Sequence, residues 1–211
     1  MSHFADTPSP AVHPDTADLK EGRKLEYLTI AWNAVEAMVS IAAGVLAGST
    51  ALLGFGVDSM IESGSGAVLL WRLQDSSDHA AREAGALRMV GVSFLLLAAW
   101  IGYESVESLL RREAPAASYP GIAIAVLSLI VMPWLARRKR QVAASLASRA
   151  LECDSRQTTL CAYLSAILLA GLLLNAVAGW WWADAVAGLC MTPIIVNEGL
   201  EAFRGERCDC S

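Results

Sequence analysis

Six blocks of mainly apolar residues, each about the length that crosses a bilayer as a helix, occupy most of this 211-residue chain. They fall at residues 25–46, 51–71, 87–109, 121–136, 151–177 and 180–203. A helix at the surface of a soluble protein keeps one face polar, and blocks this long leave little room for such a face. Composition agrees: 55% of residues are hydrophobic, 18% are charged and the mean hydropathy is +0.45, where a soluble domain carries about a quarter charged residues. The runs are continuous rather than alternating, which selects helices over barrel strands. The expected fold is an all-α membrane protein with six transmembrane helices.

The ends and loops set its orientation. Residues 1–24 are polar and Pro-rich and lack the apolar stretch of a signal peptide. They are expected to form a disordered cytosolic tail, to which His3 and His13 belong. Residues 25–203 form the transmembrane domain, and residues 204–211 a short cytosolic tail ending in Cys208 and Cys210. Thirteen basic residues lie on one side of the six spans: Lys20, Arg23 and Lys24, then Arg72, Arg82 and Arg88, then the loop residues Arg137–Arg140 with Arg149, then Arg204 and Arg207. Only Arg111 and Arg112 lie on the other side, and Arg156 falls within the fifth span. That bias places both termini in the cytoplasm, in the cell (inner) membrane. The net charge of −5 says little about partners, because its sign varies from loop to loop. Five cysteines offer no even framework of loop pairs, so reduced thiols are expected.

Polar residues inside the spans carry the functional argument. Asp58 and Glu62 lie four positions apart in the second span, within "GFGVDSMIESGSG". An acid at a helix centre costs roughly 2.5–3.5 kcal/mol on insertion scales, so two adjacent acids call for a proton or a cation. The spacing puts both on one helical face, about 6 Å apart along the axis, as half of a four-ligand divalent site. A hydrogen-bonded packing pair sharing a proton is the alternative. The fifth span opens with "ALECDSRQTTLCAYLS", where Cys153, Gln157 and Cys161 recur every four residues and Asp154 stands one position off that line. Cys161 as thiolate suits zinc, cadmium or another soft ion, whereas Gln157 is a poor ligand. In the first span Asn33 and Glu36 could line the same cavity, with Glu36 as a candidate proton relay.

Other polar positions have plainer readings. Glu104 and Glu107 sit near the outer end of the third span, and Asp184 reads as a helix-start or packing residue. Trp180–Trp182 read as an interfacial anchor, and Ser59, Ser63 and Ala67 as a small-residue line for close helix approach. Asp75, Asp78 and His79 read as a solvated loop that could collect ions, and Cys208 and Cys210 as two tail thiols that cannot complete a site alone.

"GSTALLGFGVDSMIESGSGAVLLWR" resembles the second transmembrane helix of the cation diffusion facilitator family, whose ligand pair at i, i+4 corresponds here to Asp58 and Glu62. "DSRQTTLC" is similar to the family's fifth-helix pattern of Asp, His and Asp, but Gln157 and Cys161 replace the second and third members after Asp154. "WWWADAVAGL" resembles the start of its sixth helix, with Asp184 at a structural acid. The resemblance covers roughly residues 25–203 and implies a cation-efflux-type bundle, working as a homodimer that exports divalent cations in exchange for protons. It implies the span 2 half-site residue by residue, while the changes in span 5 favour softer ions. The family's cytosolic C-terminal metal-binding domain is not expected here, so the dimer would form through the membrane helices.

The expected function is therefore a secondary transporter that exports a divalent metal, with Zn2+ favoured and Cd2+, Co2+ or another soft ion as alternatives. Its metal ligands would be Asp58 and Glu62 with Cys161, Gln157 and Asp154. The metal is cargo and no cofactor is expected; protons, the lipid bilayer and a second copy are the other partners, with no nucleic acid. Two alternatives remain: a transporter of non-metal or organic cations, and a non-transporting metal sensor or scaffold. No nucleophile–base pair or phosphate loop points to an enzyme.

Overall fold

The computed structural model describes residues 16–72, 80–112, 115–146 and 148–204. These residues form six helices: α1 (Thr16–Ala47), α2 (Thr50–Arg72), α3 (Ala80–Arg111), α4 (Tyr119–Ser145), α5 (Arg149–Ala178) and α6 (Ala183–Arg204). Helix is the only regular structure among the described residues, as the continuous apolar blocks require. Four helices, α1, α3, α4 and α5, contain segments long and apolar enough to cross a membrane by length and composition. The other two place acids within their apolar runs: Asp58 and Glu62 in α2, Asp184 and Glu198 in α6. For α2 the packing supplies the reason, because it lies against α1, α3, α5 and α6 and so faces protein on several sides. The remaining principal contacts join α3 to α6, α4 to α5, α1 to α4 and α5 to α6.

Contacts at the two ends show that successive helices alternate in direction. At one end the Ala116 N–H donates to the Ala47 carbonyl at 2.8 Å, and Asn175 Nδ2 donates to the Pro115 carbonyl at 2.9 Å. That end also joins α2 to α6: Ser49 caps α2 by accepting from the Leu52 N–H at 3.1 Å, and its hydroxyl donates to Asp184. The Ala51 N–H donates to the second Asp184 oxygen at 3.4 Å. Asp184 thus serves as a structural acid at a neighbouring helix N-terminus, where negative charge is favoured. Gly48, at φ 68°, allows the reversal between α1 and α2 in a conformation most side chains resist.

At the other end, which carries most of the basic residues, α3 and α6 touch backbone to backbone. A Cβ on Gly91 would stand 2.7 Å from the Gly199 carbonyl oxygen, and one on Gly199 3.1 Å from that of Gly91. The close approach expected of Ser59, Ser63 and Ala67 is only partly realised. Ser59 is buried, but Ser63 is half-buried and Ala67 exposed.

Several boundaries differ from the sequence expectation, among them the start of α3, at Ala80 rather than residue 87. Helix α1 begins at Thr16, so residues 16–24 are helical rather than disordered. Glu21 pairs with Arg138 of α4, and Gly22 faces the side chains of Val142, Leu146 and Leu151, so this turn has a surface to pack on. Helix α4 runs through Arg137–Arg140 instead of ending in a loop there, and Lys139 is fully buried. Helix α6 starts at Ala183, leaving Trp180 and Trp182 stacked in the preceding connection with ring centroids 5.0 Å apart.

Candidate cation site

The acids of α2 are buried, as their spacing suggested: Asp58 is 4% exposed and Glu62 2%. Three helices supply their polar neighbours. From α1 comes Glu36, fully buried, whose Oε2 accepts from Ser59 Oγ at 2.9 Å and from the Cys161 thiol at 3.9 Å. From α5 come Thr158 and Cys161. Thr158 Oγ1 stands 3.2 Å from Glu62 Oε1, and Cys161 lies beside Glu62 as well as Glu36. From α6 comes Glu198, within electrostatic reach of both Asp58 and Glu62.

Free acceptor atoms remain in this cluster. Glu62 Oε2 and Glu36 Oε1 are buried and accept no hydrogen bond within the protein. Buried polar atoms are nearly always satisfied, so atoms left open at one place point to a ligand or water there. Carboxylate oxygens and a thiolate are donor types that borderline or soft divalent ions accept. Among the described residues, no three His, Cys, Asp or Glu side chains stand close enough to enclose one ion without moving.

The α5 residues singled out in the sequence divide into two environments. Cys161 belongs to the buried cluster. Gln157 is half-buried and accepts from Ser65 of α2 at 3.2 Å, one turn past Glu62. Asp154 pairs with Lys139 of α4, which also lies 3.2 Å from Glu26 of α1. A buried line on α5 runs through Asp154, Thr158, Cys161 and Ser165, and Gln157 stands beside it. Spacings of four, three and four follow the helical period more closely than a strict repeat of four, which drifts around the helix. Ser165 continues the line by donating to Ser128 of α4 at 2.9 Å.

Sequence reasoning missed Glu26, Lys139, Thr158 and Glu198. Two of them left a sequence signal: Glu26 opens an apolar block, and Glu198 is a second acid in the last one. Thr158 and Lys139 left none, since a threonine in a span is ordinary and Lys139 lies in a basic run. Glu107 forms an i, i+4 pair with Arg111 at 2.5 Å, a local contact at the helix end. His3, His13, Asp75, Asp78, His79, Cys208 and Cys210 lie outside the described residues, as does the side chain of Cys153.

Residues 27–206 match the family described as the cation efflux transmembrane domain. The chain belongs to the cation efflux family. It is 27% identical over 185 residues to transmembrane protein 163 of Xenopus laevis, an alignment covering 86% of this chain and 66% of that protein. It is 25% identical over 188 residues to an uncharacterized transporter of Methanocaldococcus jannaschii, covering 85% and 66%. The chain thus spans just under two thirds of the length of these curated relatives. Family membership and the apolar helices make it an integral, multi-pass membrane protein.

Proposed function

We propose that this cation efflux protein is a secondary transporter that moves a divalent metal, Zn2+ foremost, out of the cytosol in exchange for protons. The observation that carries this reading is the burial of Asp58, Glu62 and Glu36 beside Cys161, with free carboxylate oxygens at Glu62 and Glu36. Several acids in an apolar bundle call for a proton or a cation, and a proton and a dication compete for the same oxygens.

Asp58 and Glu62 bind the ion from α2, and Cys161 adds a soft donor from α5. Gln157 and Asp154 lie toward the basic end and would meet an ion before it reaches the acids. Glu36 accepts from Ser59 and Cys161 and is the proton relay in this scheme. Alternating access about the acids would release the metal on the far side, with both termini cytoplasmic and a homodimer formed through the membrane helices.

Uptake of Zn2+ into inside-out vesicles under a pH gradient tests this function. Asp58→Ala and Glu62→Ala are expected to abolish uptake, and flux equal to the unaltered protein would refute the mechanism. One observation favours a second reading, a metal sensor or scaffold: no three candidate ligands are gathered ready to enclose an ion among the described residues. Saturable metal binding with no flux would select it.

A further inference from the structure

Lys139 is buried against the expectation set by the basic run around it. Its neighbours Arg138 and Arg140 are exposed on α4, while Lys139 is 0% exposed. A buried ammonium persists only where its partners replace water. Here Nζ lies 3.2 Å from both oxygens of Glu26, bonds Asp154, and stands 3.5 Å from Thr158 Oγ1. Glu26 is fully buried and Asp154 is 7% exposed, so α1, α4 and α5 are tied by one charged triad. Thr158 then connects that triad to Glu62 of α2 at 3.2 Å.

The triad also has a position along the pathway. Glu26 precedes Glu36 by ten residues, about 15 Å of helix, and Asp154 precedes Cys161 by seven residues, about 10 Å. Both offsets run toward the basic end, where α1 and α5 begin and α4 finishes. From that end the order is the Lys139 triad, then Glu62 with Thr158, then Asp58, Cys161 and Glu36. A cation arriving there meets Lys139 first.

We propose that Lys139 is a tethered cation that closes the basic end of this pathway, and that an entering dication displaces it from Glu26 and Asp154. Closure follows from geometry: the ammonium draws a carboxylate of α1 and one of α5 to a single point between them and the site. Selectivity follows from charge. An ion that takes over the lysine's partners must offer them more than its single charge, which favours divalent over monovalent cations. The displacement step rests on the proposed cation pathway, whereas the closure does not require that a metal ever binds.

Cys161 reports the closure, because it lies buried on the far side of the triad. The test uses the full chain in inside-out vesicles with Cys153, Cys190, Cys208 and Cys210 replaced by serine. A membrane-impermeant thiol reagent is applied from the basic end, and the rate of Cys161 modification is measured. The unaltered triad and Lys139→Arg are expected to label slowly. The neutral triple variant Glu26→Gln, Lys139→Met, Asp154→Asn, which leaves no lone buried charge, is expected to label at least about tenfold faster. Equal rates in the unaltered and neutral proteins would overturn the proposal. Should the triple variant fail to fold, Glu26→Gln alone keeps the Lys139–Asp154 pair. It is then expected to label at an intermediate rate, and an unchanged rate would overturn the proposal. Zn2+ is added in a separate arm: its failure to protect Cys161 counts against the metal reading and leaves the closure result intact.

Discussion

A buried charge is stable only with its partner, and Lys139 makes that rule measurable. Lys139→Met would strand Glu26 and Asp154 in the bundle, an expected loss of about 3–5 kcal/mol in thermal unfolding of the detergent-solubilised protein. The neutral triple variant removes all three charges and is expected to unfold near the unaltered protein, since a satisfied ion cluster and an apolar replacement are often close in energy. Cys161 poses a question of softness rather than of charge. Cys161→Ser keeps the volume and replaces the thiol by a harder donor, so Cd2+ binding is expected to weaken more than Zn2+ binding in calorimetric titrations. An equal loss for both ions would place the thiol outside the coordination sphere.

At the scale of the element, helix ends and helix contacts decide stability. Asp184 of α6 accepts from the Ser49 hydroxyl and the Ala51 N–H at the start of α2. Asp184→Ala leaves those buried donors unmet and is expected to cost about 1–3 kcal/mol in thermal unfolding, with Asp184→Asn milder because an oxygen acceptor remains. Between α3 and α6 the constraint is steric. Gly91 faces the Gly199 carbonyl and the Phe203 backbone with no room for a side chain. Gly91→Val is expected to destabilise by about 1–3 kcal/mol as α3 and α6 are forced apart, read by the same measurement. The existence of all six helices was legible because each block is long and apolar. Their ends were less so. Residues 16–24 look too polar for ordered structure, yet Glu21 meets Arg138 and Gly22 meets α4 and α5.

In the whole molecule, α2 can carry Asp58 and Glu62 because α1, α3, α5 and α6 lie against it. That arrangement keeps two costly acids inside the protein. It also separates roles by depth: Asp184 at one end stabilises a helix start, Lys139 at the other gathers α1, α4 and α5, and Asp58 with Glu62 lies between. The alternation of the helices and the excess of basic residues at one end predict that tags on the two termini behave alike. Both should resist protease on intact cells and be cleaved in inside-out vesicles; one tag on each side would reject the proposed orientation.

The features legible along the chain were local and periodic. Apolar block length specified six helices, and the interval between Asp58 and Glu62 placed both on one face, because neighbours within a helix lie at fixed offsets. The pairing of distant residues had no such signal. The interval of four from Cys153 to Gln157 to Cys161 drew attention to Gln157, while packing turned Thr158 toward Glu62 and left Gln157 against Ser65. Asp154, a candidate ligand by sequence, pairs with Lys139, fifteen residues earlier and on another helix. Lys139 itself sat unnoticed between arginines. Only the tertiary structure could decide these matters, because a carboxylate's partner is whichever donor the packing of another helix brings within about 3 Å, and no offset along one chain encodes that distance.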